Sequence, residues 1–343
     1  MTESSAGKVY ARELDEFVAW CDRLGGIADP KARKWTRDFS VVFDTAVDTC
    51  ADPFSAAYWD SQRKLYAELS GRIVNQEKSE LTPIDVDLHL QAINPYNSND
   101  PQFIARHKRA VLNAFLLAGP EPGMSVLDLG CGWGLTSEAM AYCGAQVTAV
   151  DINPQFVELV GSRARRLGLP IAAERASFDA FESRQQFDLI FFYECLHHSL
   201  KAWETIRYVA QFLKPRGRIV WAGEPVNDIW WKSWGLRLDA ESVYVMRKFG
   251  WWESGWSESF IRECFKKADL ELTIIPSAGL DGGPVGFAVA KKNSYSVRPN
   301  RLHISPVSSA GWSLRKPVWP RILRKLKALL QRSALRPKQS SPL

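Results

Sequence analysis

The sequence predicts an α/β fold: a doubly wound, mostly parallel seven-stranded sheet with an antiparallel strand pair at one end, preceded by a helical N-terminal region. Three observations predict it. From Ser125 onward, short apolar runs alternate with amphipathic helical stretches, the pattern of a parallel sheet covered on both faces. One run, Val126 to Leu129, ends directly in Gly130-Cys131-Gly132-Trp133-Gly134, a glycine turn that opens a helix. The last two runs are separated by Pro276, Gly279 and Asp281-Gly282-Gly283-Pro284, which leaves no room for a crossover helix and makes them antiparallel.

Each element has its own local signal. Residues 1–120 read mainly helical: Leu14, Phe17, Val18 and Cys21 form one stripe, and Phe103, Ala110, Leu112 and Phe115 another, with Asp100-Pro101 as cap and first turn. Asn94-Pro95-Tyr96-Asn97-Ser98-Asn99 is a turn-rich break before that last helix. Strands are expected at 126–129, 146–150, 171–176, 187–193, 218–222, 270–275 and 285–290, with a helix near 258–267. Ile206, Val209, Ala210 and Leu213 mark a helix that Lys214-Pro215-Arg216-Gly217 stops, turning the chain into the fifth strand.

The chain has 343 residues, 46% hydrophobic and 24% charged, which fits about two domains, or one with large additions, and excludes a disordered or collagen-like chain. The expected division is a helical region over 1–120 that covers the site, a ligand-binding domain over 121–292 with a Trp-rich insertion at 224–256, and a basic tail over 293–343. No uncharged apolar run is long enough to span a bilayer, and Glu3, Glu13, Asp15 and Glu16 replace a basic-then-apolar leader, so a cytoplasmic protein is expected. Cysteines 21, 50, 131, 143, 195 and 264 lack any metal-binding spacing, so reduced thiols and no metal site are expected.

The net charge of +6 is misleading. Residues 293–343 hold eleven Lys or Arg and no acid, leaving −5 on residues 1–292. Within the tail, Trp319, Ile322, Leu323, Leu326, Leu329 and Leu330 share one face of a basic amphipathic helix. Such a helix suits an anionic membrane surface, which would make the protein peripheral there; a protein partner or the body itself are equal alternatives. An acidic body with no recognisable nucleic-acid module disfavours nucleic acid.

The glycine turn carries the chemistry. Glycines let a ligand approach the main chain, and the helix start offers free N–H groups. The next strand ends at Asp151, 21 residues after Gly130, where a carboxylate can accept both hydroxyls of a ribose; capping the helix after Asn153-Pro154 is its structural alternative. The third glycine, Gly134, follows Gly132 by two positions rather than the three of the dinucleotide fingerprint. An acid at Asp128 would repel a pyrophosphate but suits a ligand bearing an ammonium and a sulfonium.

The segment from Val126 to about Glu224 resembles a class I S-adenosylmethionine-dependent methyltransferase, a Rossmann-like fold. Its motifs appear in order: Asp-x-Gly-x-Gly-x-Gly from Asp128, the strand-end acid Asp151, Phe187-Asp188-Leu189-Ile190, Leu196-His197-His198 and Leu213-Lys214-Pro215-Arg216-Gly217. The resemblance implies that Gly130, Cys131, Gly132 and Gly134 lie against the methionine portion of S-adenosylmethionine with Asp128 near its amino group. It further implies that Asp151 holds the ribose and Ile152 packs on the adenine. Where the family often has an acid for the adenine edge, this chain has Ser177-Phe178, of which Phe178 can stack.

Methyl transfer is an in-line displacement, and a hydroxyl acceptor also needs a base. His197 and His198, just past the fourth strand, are candidates for it, with packing as the alternative; Glu194 is a candidate for a catalytic contact and Glu224 for a substrate contact. Seven of the fourteen tryptophans (221, 230, 231, 234, 251, 252 and 256) fall in or beside the insertion. They either build an acceptor pocket with Trp230, Trp234, Trp251 and Arg237, or form a small aromatic core. Asp239, Glu241 and Arg247 add polar groups for orientation.

Phe192 to His198, Glu224-Pro225, Trp234 to Asp239 and Lys248 to Trp251 are similar to bacterial methyltransferases linked with polysaccharide or glycoconjugate assembly, which implies a saccharide hydroxyl as acceptor. The Leu129 to Gly134 loop also resembles that of cyclopropane fatty acid synthases. The alternatives are a small-metabolite or lipid methyltransferase, an NAD-dependent oxidoreductase, and a non-catalytic cofactor-binding partner.

Overall fold

The computed structural model describes residues 7–81, 83–227 and 231–302. The tail helix expected at 319–330 and Trp230 lie outside them.

The N-terminal region carries β1 (Lys8–Tyr10), α1 (Leu14–Arg23), α2 (Pro30–Trp35), β2 (Ser40–Val42), α3 (Ala56–Ser70), α4 (Gln76–Ser79), α5 (Val86–Leu90) and α6 (Pro101–Leu117). Leu14, Phe17 and Cys21 form the buried stripe of α1. Asp100 caps α6 by accepting the N–H groups of Gln102 and Phe103, with Pro101 in the first turn, as the sequence predicts. β1 and β2 pair in parallel, two short strands within this mainly helical region.

The central body follows as β3 (Ser125–Leu129), α7 (Leu135–Tyr142), β4 (Gln146–Asp151), α8 (Pro154–Leu167), β5 (Ile171–Arg175), β6 (Phe187–Tyr193), α9 (Ala202–Ala210) and β7 (Leu213–Ala222). β8 (Trp234–Leu236), α10 (Ala240–Phe249), β9 (Ser254–Trp256), α11 (Glu258–Lys267), β10 (Leu270–Ile275) and β11 (Val285–Ala290) complete it. The seven-stranded sheet has the order β10-β11-β7-β6-β3-β4-β5. β11 is antiparallel to both neighbours and every other pairing is parallel, so the predicted doubly wound sheet with its antiparallel end is observed.

Alternation along the strands divides the core in two. Leu127, Leu129, Ile190, Phe192, Ile219 and Trp221 face one cluster, which includes Phe17 of α1, Tyr66 of α3 and Ile261 of α11. Val126, Leu189, Phe191, Val220 and Phe287 face the other, packed by Val111 and Phe115 of α6 and Met140 of α7. Helices α1 and α3 lie on α10, α5 on α8, and α6 on α7, so the N-terminal region packs onto both faces of the body.

One boundary is corrected. Lys214 to Gly217 do not stop the helix; α9 ends at Ala210, and Leu213 already pairs with Phe187 as the first residue of β7. The next matched pair is Leu189 with Arg218, so β7 carries three more residues than β6 there. The Lys-Pro-Arg-Gly segment is a bulge, where a missing N–H and a glycine are tolerated.

Candidate active site

The carboxyl ends of β3, β4 and β6, the turn after β6, the Trp-rich insertion and the α4–α5 segment enclose one large cavity. Its floor is the glycine loop. Gly130 has φ +68°, and a Cβ there would lie 2.7 Å from Cys195 Cβ, so only glycine fits. Gly132 is open on the cavity side: a Cβ there would meet nothing within 4 Å, and its N–H donates to Asp151 Oδ2 at 2.9 Å. Cys131 lines the same floor.

Asp151 ends β4 with 9% of its surface exposed; Oδ1 accepts the Asn153 N–H at 2.8 Å. Asn153 itself caps α8, so Asp151 is not the helix cap. Burial pushes this carboxyl up to about 6, opposed by its backbone N–H donors. Ile152, Ser177 and Phe178 line the adjacent wall. An open glycine floor beside a strand-end carboxylate and an aromatic wall fits an adenosyl ligand carrying an amino-acid tail.

Two predicted cofactor residues lie behind this surface. Asp128 is 1% exposed beneath the loop, where Oδ2 accepts the hydroxyls of Thr136 and Ser137. Burial pushes its carboxyl up to about 6, those hydroxyls opposing. Gly134 begins α7, where a Cβ would lie 2.8 Å from Val160 Cγ2; its role is close helix packing rather than contact with the cavity.

Past β6 the chain makes a short turn over Leu196–His198 that brings both imidazoles to the cavity. Glu224, expected to touch substrate, is instead buried behind that turn. Its Oε1 accepts the N–H groups of Cys195 and Leu196, and its Oε2 that of His197, each at 3.0 Å. The same Oε2 lies 2.9 Å from His197 Nδ1, so the ring donates from Nδ1 and leaves Nε2 as an acceptor. Burial pushes Glu224 up to about 7 against those N–H donors, and burial pushes His197 down to about 4. His198 stacks on His197 with ring centroids 4.3 Å apart, and its Nδ1 lies 2.9 Å from the Trp252 carbonyl, again leaving Nε2 free of that bond. Burial, and then the neighbouring His197, push it down to about 4.

Several cavity residues carry no sequence signal. Glu80 reaches within 3.8 Å of His198 Nδ1 and accepts the Trp252 N–H at 3.2 Å; burial pushes it up to about 7. Glu253 lies 3.8 Å from His197 Nε2 and is held by Arg237 at 3.1 Å. His197, His198 and Glu253 each offer a ligating atom within 4.8 Å of the others, a grouping that the cysteine and histidine spacing does not announce. Gln76, Ile84, Tyr96, Trp133 and Phe156 complete walls that depend on tertiary packing. Asp179, adjoining Ser177-Phe178, also lines the cavity, with Oδ1 accepting the Thr205 hydroxyl at 2.6 Å.

The tryptophans divide between the two expected roles. Trp251 lines the cavity with Arg237. Trp234, expected in the pocket, is 2% exposed; its Nε1 donates to the Pro53 carbonyl at 2.7 Å, and the Tyr58 hydroxyl donates to the Trp234 carbonyl. The two-stranded β8–β9 unit tucks Trp234 and Trp256 under α3, and Trp221 and Trp252 are also fully buried, so these four build core. Arg247 points away to Asp15 of α1 at 2.6 Å rather than orienting a ligand.

Residues 126–217 match the family described as methyltransferase domain. The ubiquinone biosynthesis O-methyltransferase of Idiomarina loihiensis is 32% identical over 179 residues, covering 50% of this chain and 71% of that protein. The protein of the same name from Xanthomonas axonopodis pv. citri is 35% identical over 127 residues, 36% of this chain and 53% of that one, so the chain spans about half the length of that relative. The crystal structure of magnesium protoporphyrin IX methyltransferase from Synechocystis PCC 6803 aligns with 64% of this chain and 99% of its own, at 18% identity and a TM-score of 0.44. The Idiomarina and Xanthomonas relatives are named for ubiquinone biosynthesis, whereas the sequence resemblance points to polysaccharide assembly. Among the described residues, no helix is long and apolar enough to cross a membrane. On the strength of the glycine floor, the strand-end carboxylate and the Idiomarina relative, the chain belongs to the class I S-adenosylmethionine-dependent methyltransferases.

Proposed function

We propose that this protein is an O-methyltransferase that transfers the methyl group of S-adenosylmethionine to a hydroxyl of a small, flat acceptor. When bound, S-adenosylmethionine supplies a methyl group already activated by sulfonium charge. Gly130, Cys131 and Gly132 hold the amino-acid portion, Asp151 the ribose hydroxyls, and Ile152, Ser177 and Phe178 the adenine.

The observation that carries the reading is the 2.9 Å contact between His197 Nδ1 and Glu224 Oε2. Glu224 is itself fixed by three backbone N–H groups, so it holds the ring in one tautomer with Nε2 turned from it. That lone pair accepts the acceptor's hydroxyl proton as the oxygen attacks, and Glu224 steadies the imidazolium formed. His198 and Trp251 orient the acceptor.

The names of the relatives support a hydroxyl acceptor and a small metabolite. A saccharide draws less support, because Trp234 and Glu224 sit outside the cavity and Arg237 is already engaged by Glu253 and Asp239. The test is production of S-adenosylhomocysteine from S-adenosylmethionine with a panel of phenols and sugars. Turnover with phenols that fails in His197→Gln supports the reading. Turnover confined to sugars overturns the acceptor class, and cofactor binding with no turnover across the panel makes the chain a non-catalytic binder.

A further inference from the structure

The acceptor side of the cavity is acidic. Five carboxylates line the cavity, those of Glu80, Asp151, Asp179, Glu194 and Glu253, against Arg237 as the single Lys or Arg among the described lining residues. Asp151 and Glu194 adjoin the glycine loop and Asp179 follows the Ser177-Phe178 wall, which leaves Glu80 and Glu253 facing the histidines, 3.8 Å from His198 Nδ1 and His197 Nε2 respectively. Glu253 is neutralised by Arg237 at 3.1 Å, and Arg237 also holds Asp239 at 3.2 Å. Glu80 has no such counter-charge. Its side chain is 13% exposed, no Lys or Arg among the described residues pairs with it, and burial keeps the neighbouring His198 neutral.

Glu80 is nonetheless fixed in place. It follows α4, which Gln76 ties to the turn after β6 by donating to the His198 carbonyl, and Arg72 ahead of α4 donates to the Lys248 and Phe249 carbonyls at 3.1 Å. Its own Oε1 accepts the Trp252 N–H at 3.2 Å, and the Trp251 ring, edge-on to His198 at 6.1 Å, lines the same corner. A fixed, desolvated carboxylate beside an indole, with no basic side chain to neutralise it, is costly alone and fits an alkylammonium. We infer that Glu80 pairs with a positively charged group of the acceptor, which makes the substrates aromatic hydroxyl compounds carrying an alkylammonium arm. The same carboxylates disfavour an anionic acceptor.

The inference rests on the acceptor reading above and adds the acceptor's charge to it. Its test is calorimetric titration of the full chain saturated with S-adenosylhomocysteine, in a chelating buffer so that the ligand alone supplies positive charge. Four compounds of similar size are compared: tyramine, 4-ethylphenol, 3-(4-hydroxyphenyl)propionate and phenethylamine. Wild type is expected to bind tyramine at least ~10-fold more tightly than 4-ethylphenol, with the propionate weakest. Glu80→Gln keeps an oxygen for the Trp252 N–H but no charge, and in it the tyramine advantage falls to near unity. Tyramine binding no tighter than 4-ethylphenol in wild type overturns the inference without any variant, as does an advantage that survives in Glu80→Gln, or no binding of any of the four. Turnover of 4-ethylphenol with no amine preference removes this inference and leaves the proposed methylation intact. Phenethylamine separates the opposite case: if it binds through Glu80 while no phenol is methylated, the charge assignment stands and the phenol acceptor falls.

Discussion

His197 and Glu224, 27 residues apart in the chain, meet at 2.9 Å where the ends of two adjacent parallel strands place them. Glu224 does not touch the cavity; it organises the turn that does. His197→Gln is therefore expected to lower kcat by ~10²–10⁴ with cofactor affinity unchanged, in steady-state kinetics with any acceptor that turns over. Glu224→Gln turns an amide N–H₂ toward backbone donors and is expected to lower both kcat and stability, the latter by about 1–3 kcal/mol in urea unfolding. A His197→Gln enzyme with full kcat would remove the base from the account.

Cofactor binding should release protons near pH 6. Burial raises Asp128 and Asp151 to about 6, so each is partly protonated there in the free protein. A cationic ligand favours the charged carboxylates, lowers both values and expels protons. Calorimetry at pH 6 in buffers of different ionisation enthalpy is expected to show net release; net uptake would contradict it.

His107 links folding to pH. Burial holds its imidazole down to about 3, beneath Tyr193 and Glu194. The unfolded chain therefore takes up the proton first: the stability from neutral His107 is full above about pH 6.5 and is lost as pH falls toward 3. His107→Gln is expected to flatten the acid limb by one proton, about 1.4 kcal/mol per pH unit between pH ~6 and ~4, in denaturation series. Identical slopes in the two proteins would count against it.

Arg163 is fully buried in α8, bonding both Glu138 oxygens and the carbonyls of His89 and Ala92. It ties the segment after α5 to the body, and the His89 ring rests 4.2 Å from that of Trp133 on the cavity wall. Arg163→Met leaves Glu138 without its partner and is expected to cost about 3–5 kcal/mol, with weaker cofactor binding. A change under ~1 kcal/mol in chemical denaturation would show the clasp to be dispensable.

Local signals make the sheet and the glycine floor readable from sequence. The alternation that sends Leu127 to one core and Val126 to the other is a period-two pattern, and Gly130 is demanded by its own backbone angle. The acceptor side is not readable in the same way. Trp234 and Trp251 are the same residue type in the same insertion, and only the β8–β9 pairing under α3 sends one to the core and leaves the other at the cavity. Glu80 and Glu253 carry no motif, since their meaning comes from facing His198 and His197 across the fold. Glu224 reads as a substrate contact in sequence because its place just past a strand end does not reveal whether its side chain turns toward the cavity or the adjoining backbone.

The most direct test is a calorimetric titration of the folded protein with S-adenosylhomocysteine, repeated with Asp151→Ala. A saturable one-to-one isotherm that weakens ~10–100-fold in the variant is the expected result. A flat trace from well-folded wild type, or equal affinity in the two proteins, would contradict it.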